Sequence, residues 1–384
     1  MREESKALHG VLVGIRIVVG LLFIFSGLIK ANDPLGLSYK MQEFLEVWGI
    51  SSLHHYTLFM SLAMNTFEIM AGVAVILGWR MRFFSWLLLL LIIFFTFLTG
   101  YALLSGKIKT CGCFGDCIPL SPLQSFIKDV VLLILIVIIF SFRFVIRPIL
   151  SSATCGGFVV ATAFFCIALQ WWVLKHLPIV DCLPYKVGNN ITEKMKIPGG
   201  AVADSFAINF KYRKQGKLVE FDMDHFPDDF NDSAYQFVER TQKLVRTGTA
   251  HAAITDFNLV SLSGTDTTQA ILNQDNYFVL FFLKDLATSK LRWEDNVAAV
   301  LAICKEKKIP FFVVTAVADL AKAHFEEIPN IDATPIVYLK SDATVIKTAA
   351  RENPTYMILK KGDILGKYAA ADYKKVISKL KQLQ

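Results

Sequence analysis

Apolar residues dominate the first half of the chain, and the second half has ordinary polarity. Five apolar runs cover residues 11–29, 57–78, 83–104, 123–146 and 156–175. Each is close to the roughly 20 residues that a helix needs to cross about 30 Å of hydrocarbon. From about Pro178 onward apolar and polar residues are mixed. The pattern therefore predicts five transmembrane helices followed by a water-exposed part.

The second half has two different patterns. Residues 205–221 alternate apolar and polar on either side of Gln215-Gly216, which predicts a β-hairpin in a small β-rich module ending near residue 248. From about residue 250 the buried strands YFVLFFL and PFFVVTA flank the helix WEDNVAAVLAICKEKK. A hairpin in ITDFNLVSLSGTDTT precedes them; a strand near PIVYL, a helix ending at Arg351, a closing hairpin in YMILKKGDILGKYA and a last amphipathic helix follow. Strands alternating with helices indicate a mainly parallel sheet covered on both faces.

These patterns divide the chain into four segments. We expect a four-helix membrane domain over residues 1–150, a fifth transmembrane helix over 151–178, a linker with the β-rich module over 179–249, and an α/β domain over 250–384. The predicted fold class is an α-helical membrane bundle followed by an α/β domain outside the membrane.

Composition and charge narrow the class of protein. Over 384 residues, 54% are hydrophobic and only 19% are charged, which is too apolar for a soluble protein of this size. The net charge is +7, but no basic stripe is interleaved with aromatic residues, so nucleic acid is not an expected partner. Membrane lipid is the expected surrounding.

Arginine positions predict the orientation of the bundle. If all five runs span the membrane, the segment between the second and third runs and the segment between the fourth and fifth runs lie on the same side as the N-terminus. Each of these segments contains a pair of arginines, so the positive-inside rule predicts that this side is cytoplasmic. These are Arg80, Arg82, Arg143 and Arg147, with Arg2 and Lys6 at the N-terminus. We thus expect an inner (cytoplasmic) membrane protein whose C-terminal half is extracytoplasmic, although Lys30, Lys40, Lys107 and Lys109 lie on that outer side.

Three of the seven cysteines lie in one short loop between the third and fourth runs. Cys111, Cys113 and Cys117 occur in TCGCFGDC, where two glycines allow tight turns. Because a disulfide needs α-carbons roughly 4.4–6.8 Å apart, Cys117 can bond to either of the other two, whereas a Cys111–Cys113 bond closes a strained ring. The loop therefore suits thiol–disulfide exchange, a fixed structural disulfide, or a Cu(I) or Zn(II) site that lacks a histidine to complete it.

Several polar residues accompany this loop. Glu68 lies near the centre of the second run and needs a buried partner, for which Arg16 in the first run is a candidate. Lys128 and Asp129 lie one to two turns below the loop, where the ammonium group either lowers a thiol pKa or pairs with Asp129 or Asp116. Cys182 follows the fifth run closely and is either a resolving thiol for the loop or a solitary one. Cys155, Cys166 and Cys304 are expected to be packing residues.

A family resemblance is carried by the segment SGLIKANDPLG, by the mid-helix Glu68, and by CGCFGD followed by SFIKDVVLL. Through these motifs, the chain over about residues 8–147 resembles the MauE/DoxX-type membrane family. The resemblance implies a four-helix module linked to methylamine-utilisation operons and to maturation of exported, disulfide-containing proteins, often beside a thioredoxin-like partner. The family's cysteines match Cys111 and Cys113, whereas Cys117 has no clear counterpart.

The element order from about residue 250 resembles a thioredoxin or redoxin fold, with Pro354 in the place of the family's cis-proline. In thioredoxins the nucleophilic cysteine follows the first central strand, at a helix N-terminus that lowers its pKa. The corresponding segment here, KDLATSKLRWED, has no cysteine. The resemblance therefore implies a redox-inactive domain that binds a client or partner beside Pro354.

Two functions from different classes follow from the sequence. The first is an oxidoreductase or electron-transfer component for exported cysteine-containing or thioredoxin-like proteins, in which Cys111 or Cys113 reacts, Cys117 resolves and Lys128 favours thiolate. A quinone is a chemically reasonable cofactor for a helical bundle, but no residue specifies one. The second is a non-catalytic envelope scaffold with a structural disulfide.

Overall fold

The five apolar runs form five long helices in the computed structural model, which describes residues 2–106, 108, 112–200, 205–214, 217–222, 235–246, 252–286, 293–329 and 331–383. They are α1 (Arg2–Asn32), α3 (Thr57–Leu77), α4 (Met81–Ser105), α5 (Pro122–Ser141) and α6 (Ser152–His176). Within those ranges these five helices are long and apolar enough to cross a membrane, which confirms the predicted bundle. A short amphipathic helix, α2 (Pro34–Val47), and a 3-10 turn (Ser51–Tyr56) connect α1 to α3.

Small residues bring α1 and α3 into close contact. A Cβ atom added to Gly20 would lie 2.7 Å from the Gly72 carbonyl oxygen, and one added to Gly72 would lie 2.7 Å from that of Gly20. Since apolar side chains gain little by leaving lipid for a helix interface, such close packing is a main source of association in membranes. The contact also fixes the register at which polar side chains of α1 meet those of α3.

Helix ends are defined by local capping. Asp33 caps α2 by accepting a hydrogen bond from the Gly36 amide at 3.0 Å, with Pro34 at the first helical position. Ser121 and Gln124 form a capping box at the start of α5, just after the cysteine loop. Both starts lie at the end of the bundle where α6 finishes, so the loop and the chain that follows α6 share one side.

The chain after α6 builds a three-stranded sheet from β1 (Ser205–Lys214), β2 (Lys217–Asp222) and β3 (Tyr235–Arg246), in the order β2-β1-β3. The predicted hairpin is therefore present, with a third antiparallel strand. A one-turn helix, α7 (Ile191–Lys194), precedes it. The predicted boundaries at residues 150, 178 and 249 stay predictions, and the last lies outside the described residues.

The C-terminal part contains a six-stranded sheet in the order β4-β7-β6-β5-β8-β9. Its strands are β4 (Val260–Ser261), β5 (Phe278–Phe282), β6 (Phe311–Thr315), β7 (Ile336–Lys340), β8 (Thr355–Lys360) and β9 (Asp363–Ala369). Its helices are α8 (Thr268–Leu272), α9 (Trp293–Glu306), α10 (Ala318–Glu327), α11 (Ala343–Ala349) and α12 (Tyr373–Gln382). Strands β5, β6 and β7 are parallel, β8 and β9 are antiparallel, and buried apolar clusters cover both faces. This arrangement is a thioredoxin-like fold.

Two details differ from the expected elements. The sheet is mixed, because β4, β8 and β9 all pair antiparallel with their neighbours. The expected hairpin near residue 260 is reduced to a single bridge between Val260 and Asp266, since β4 instead pairs with β7. Helices α8 and α10 were not anticipated, because α8 is only one turn long and the α10 sequence ADLAKAHFEE has only a narrow apolar stripe.

Candidate functional site

The cysteine loop is bonded to the segment that follows α6. Cys117 forms a disulfide with Cys182, with Cα atoms 4.8 Å apart and 65 residues between them in sequence. Of the partners that the sequence left open for Cys117, the structure has Cys182 and not Cys111 or Cys113. The reason is tertiary: α6 packs against α3 and α1 and returns the chain to the loop, and Asn32 of α1 holds the backbone of Val180 through hydrogen bonds of 2.8 and 3.0 Å.

Cys113 is a free, half-buried thiol in the turn that begins at Gly112. Gly112 has φ +70°, a left-handed conformation that favours glycine, and the Gly115 amide donates to its carbonyl at 3.0 Å. Ser26 of α1 donates its hydroxyl to the Cys113 carbonyl oxygen at 3.0 Å. The turn is thus attached to the bundle directly above α1. Cys111 lies outside the described residues.

A buried ion pair lies beneath this turn. Lys30 and Glu68 are 4% and 1% exposed and form a hydrogen-bonded salt bridge, and the Ser26 hydroxyl lies 3.3 Å from Glu68 Oε2. The expected Glu68–Arg16 pair is wrong. Arg16 instead donates to the carbonyls of Val75 and Ile76, at 2.9 and 2.6 Å, in the last turn of α3. The antiparallel packing of α1 and α3 puts Lys30, rather than Arg16, at the depth of Glu68.

A second ion pair approaches the turn from α5. Lys128 is bonded to the fully buried carboxylate of Asp129, whose Oδ2 also accepts from the Thr99 hydroxyl at 3.1 Å. The ammonium group lies 5.5 Å from the centre of the Phe114 ring, next to Cys113. Lys128 therefore pairs with Asp129, one of the two acidic partners expected, while Asp116 has a different one.

Burial dominates the electrostatics of the Cys113 thiol. Desolvation raises the pKa of Cys113 above its usual value, while the positive charge of Lys128 acts in the opposite direction and more weakly. The charge of Lys128 therefore lowers the pKa of Cys113, as the sequence predicts. In the resting conformation it does not outweigh burial, so Cys113 is held mainly as the neutral thiol.

An apolar cleft opens beside Cys113, between the cysteine loop and helices α1 to α4. The space between its walls, together with its open mouth, is about 820 Å³. Its polar end contains Cys113, Ser26, Lys30, Lys128 and Thr99. Lys40, Gly112 and apolar residues of α2, α3 and α4 form the remaining walls.

The thioredoxin-like domain is docked on this side of the bundle through Arg351. Its guanidinium, 7% exposed, donates to Asp33 Oδ2 at 2.7 Å and to Asp116 Oδ2 at 2.6 Å. Asp33 is the α2 cap and Asp116 belongs to the cysteine loop, so one side chain joins three elements. Gly36 leaves the necessary space, because a Cβ atom there would lie 2.6 Å from Asp33 Oδ2 and 3.3 Å from the guanidinium.

The docked edge is the one where thioredoxins carry their reactive cysteines. Lys284 follows β5 and donates from its ammonium to the Arg351 carbonyl at 2.7 Å and to the Tyr39 hydroxyl at 3.3 Å. Its amide donates to Asn353 Oδ1 at 2.8 Å, and the Asn353–Pro354 peptide is cis. Burial lowers the pKa of Lys284 to about 8. Pro354 therefore has the expected cis geometry, and its neighbours already contact the membrane module.

Two further polar contacts fix the domain to the fifth helix and its linker. Lys367 of β9 pairs with Asp181 at 2.7 Å, beside the disulfide, and His176 at the end of α6 lies 2.9 Å from the Asp372 carboxylate. Together with Arg351 and Lys284 they hold the domain at four points. The described bundle and the domain therefore share an extended polar interface.

Sequence reasoning missed four residues of this region: Lys30, Asp33, Lys284 and Arg351. The sequence indicates Lys30 only as a charge flanking the membrane. Its position at the end of an apolar run, opposite Glu68, could have predicted that the two residues pair. Asp33 stands directly before Pro34, a cap signature. Nothing local distinguishes Arg351 or Lys284, because their partners in the membrane module are more than 200 residues away.

The remaining cysteines are buried packing residues. Cys155 and Cys166 are fully buried in α6, and Cys304 lies in the apolar core of the thioredoxin-like domain, where burial raises its pKa to about 12. Among the described residues, no three histidine, cysteine, aspartate or glutamate side chains converge as a metal site would require.

Comparisons with known proteins match separate parts of the chain. Residues 8–142 match the family model of the methylamine utilisation protein MauE, and residues 206–247 match a domain family of unknown function. Protein TlpB of Flavobacterium psychrophilum is 27% identical over 129 residues. That alignment covers 33% of this chain and 35% of TlpB, so the chain spans about a third of the length of this relative.

Two solved structures are similar to one third of the chain. One is BsSco, a member of the Sco family of cytochrome c oxidase assembly proteins whose report describes a disulfide switch; it is 12% identical, with 33% of this chain and 91% of that chain covered and a TM-score of 0.27. The other is a SCO1/SenC family lipoprotein from Bacillus anthracis, 17% identical, with 34% and 94% covered and a TM-score of 0.26. Because these TM-scores are low, the fold assignment rests on the strand order of the domain. Residues 8–142 are thus similar to the MauE family, and the chain continues through a fifth apolar helix into a thioredoxin-like domain.

Proposed function

We propose that this protein carries out thiol–disulfide exchange or electron transfer for exported proteins, at the outer face of the inner membrane. In this proposal the N-terminus is cytoplasmic, and the cysteine loop and the thioredoxin-like domain are extracytoplasmic. The observation that carries the proposal is Cys113. This free thiol is fixed at the end of a helical bundle, above two buried ion pairs and beside a cleft.

The exchange needs two thiols, which we assign to Cys113 and Cys111. The Cys113 thiolate attacks a client disulfide, the client S–S bond breaks, and one client sulfur leaves as thiolate while a mixed disulfide forms. The Cys111 thiolate then attacks the Cys113 sulfur, which releases the second client thiol and closes the Cys111–Cys113 disulfide. Two electrons pass to the client, and the reverse sequence oxidises it.

The bonded pair Cys117–Cys182 has a different part in this proposal. Cys117 was expected to resolve the mixed disulfide, but that role requires its bond to Cys182 to open first. We therefore assign the pair to holding the loop on the bundle, and Lys128 to stabilising the Cys113 thiolate once the site opens. Lys30, Glu68, Asp129 and Thr99 form the support beneath.

We assign partner binding to the thioredoxin-like domain, at its edge around Pro354. The segment after β5 has no cysteine, so the domain supplies contacts and not thiols. Because Lys284 and Arg351 at this edge contact the membrane module, a client that binds beside Pro354 is brought within reach of the loop. An exported cysteine-containing or thioredoxin-like protein is the expected partner class.

The redox state of Cys113 in membranes tests the proposal. Rapid acid quenching, alkylation and mass spectrometry, before and after a dithiol or oxidant challenge, should give a Cys113 population that changes with the challenge. The Cys113→Ser variant should lose any mixed disulfide with a client, whereas Cys155→Ala, which removes a buried thiol far from the loop, should retain it. A Cys113 that stays in one state under both challenges contradicts the proposal.

A non-catalytic scaffold is the second candidate, and the docking contacts favour it. Four polar contacts fix a domain without reactive thiols to a membrane anchor, and a disulfide fixes the linker between them to the cysteine loop. An assembly factor would require such an arrangement. Complementation separates the two candidates. A Cys111→Ser/Cys113→Ser variant that still folds and restores the phenotype of a deletion strain supports the scaffold, whereas failure to complement supports the oxidoreductase.

A further inference from the structure

The Cys113 cleft, defined as the space between the cysteine loop and helices α1 to α4, has two chemically different ends. The inner end is polar and holds Cys113, Ser26, Lys30, Lys128 and Thr99. The outer part is lined by aromatic, leucine and methionine side chains: Phe44, Trp48, Met60, Met64, Phe94, Phe95 and Leu98. A ligand that fits both ends is an amphiphile with a compact polar head and an apolar body.

The mouth of the cleft faces the surface that lipid would cover. Phe94 and Met60 line it and are 42% and 40% exposed. On the same helix as Phe94, Phe97 and Leu90 are 59% and 58% exposed, as lipid-facing residues of a spanning helix are. A ligand can therefore enter sideways from the bilayer and leave its tail there.

The polar end favours a neutral head over an anionic one. Lys30 and Lys128 are both neutralised, by Glu68 and Asp129, so they present no net positive charge. Each ammonium group nonetheless has three N–H donors, of which its carboxylate partner takes one. The remaining donors can bind carbonyl oxygens of an uncharged ring, and Phe95 and Trp48 offer aromatic surfaces for the ring itself.

We infer that the Cys113 cleft is a site for a membrane quinone, with its ring at the Cys113 end and its isoprenoid tail in the bilayer. The inference rests on the proposed function, to which it adds the direction of electron flow. The thiols of Cys111 and Cys113 each lose one proton and one electron as the S–S bond forms. The quinone takes up both electrons and both protons and leaves as quinol.

Binding is measured with decylubiquinone on the full-length protein in phosphatidylcholine nanodiscs, with protein-free nanodiscs as the baseline. The Cys113→Ser variant is used beside the wild type, so that the result does not depend on thiol chemistry. Saturable binding is expected in both. Leu98→Trp and Met64→Trp fill the cleft from opposite walls and should weaken binding about tenfold or more, equivalent to about 1.4 kcal/mol.

Leu90→Trp is the matched control, because it makes the same substitution on α4 at a lipid-facing position outside the cleft and should bind as the wild type does. Formation of the Cys117–Cys182 bond in each variant shows that the fold is intact. Non-saturable uptake, equal in all variants, means that the cleft takes bilayer lipid only and overturns the inference.

Electron transfer is tested separately, by quinol formation after dithiol reduction of the nanodisc-bound protein. The wild type should form quinol and the Cys111→Ser/Cys113→Ser variant should not. Saturable binding without quinol formation in the wild type overturns the acceptor role. If the redox state of Cys113 does not change under the dithiol and oxidant challenge, the proposed function is contradicted, whatever the binding result. Failure of the proposed function can therefore be distinguished from failure of the quinone inference.

Discussion

Replacing Arg351 should loosen the docking of the thioredoxin-like domain on the membrane module. Arg351→Met keeps most of the aliphatic stem but removes the charge that pairs with Asp33 and Asp116, which are 19% and 41% exposed. Removing one partner of a buried ion pair costs roughly 3–5 kcal/mol, because the remaining charge loses its compensation. The contact to Asp116 is worth less, about 1 kcal/mol at most, since water screens this exposed carboxylate.

Because Asp33 and Asp116 both keep some contact with water, the cost should be smaller than for a fully buried pair. We expect a loss of about 2–4 kcal/mol in the free energy of docking, which is a rise of about 30- to 900-fold in the equilibrium constant for undocking of the domain. Hydrogen exchange of peptides covering residues 33–40 and 112–118 measures it, because both segments contribute a carboxylate to Arg351. Both peptides should exchange faster by a similar factor. The peptide covering β5, in the centre of the sheet, should be unchanged.

Lys361→Met is the matched control for this experiment. Its ammonium pairs with Asp275 at 2.7 Å on the surface, where the two side chains are 61% and 83% exposed, so water screens the pair and its loss should leave the exchange rates unchanged. Adding Asp33→Asn and Asp116→Asn to Arg351→Met should restore part of the protection, since no uncompensated charge is left. If Arg351→Met exchanges no faster than Lys361→Met, the domain is not held by this contact.

Three further predictions concern the same region. Because burial lowers the pKa of Lys284 from 10.5 to about 8, the unfolded chain binds more protons than the folded one between those values, so the Tm of the domain should rise with pH there. Lys284→Met should reduce the rise, to which Lys367, whose pKa burial also lowers, still contributes. A wild-type Tm that falls over this window would contradict the assignment. The Cys117→Ser/Cys182→Ser variant should be less stable by up to about 4 kcal/mol, the entropy of closing a loop of this length, as measured by thermal unfolding in detergent; an unchanged Tm would show that the bond does not stabilise the fold. Since burial raises and Lys128 lowers the pKa of Cys113, its alkylation should be slow at neutral pH and accelerate with pH, and Lys128→Met should slow it further; faster alkylation in that variant would refute the role of Lys128.

The sequence by itself determined the architecture of this protein. Lipid offers no hydrogen-bond partners to the backbone, so an apolar run of spanning length must form its backbone hydrogen bonds internally, as a helix does. The structure has a helix at each of the five apolar runs. In the second half, short β-branched and aromatic runs separated by turns specified the strands, and β5 and β6 are fully buried as their apolar composition predicts. Both signals are local, because hydropathy and periodicity act over a few turns or one strand.

Only the tertiary structure decided which polar residues meet. Glu68 needed a partner, but the sequence could not choose between Arg16 and Lys30, since the choice depends on the register that Gly20 and Gly72 set between α1 and α3. The Cys117–Cys182 bond likewise depends on the packing of α6 against α3 and α1, which returns the chain to the loop.

The contacts that dock the second half of the chain join residues that are far apart in sequence. Arg351 and Asp33 are 318 residues apart, and no periodicity connects them. Charged side chains pair wherever folding leaves them close and poorly solvated, so their partners follow from the packing of whole elements and not from neighbouring residues. The sequence therefore specified which elements form, and the tertiary structure specified that the cysteine-free thioredoxin-like edge lies on the cysteine loop.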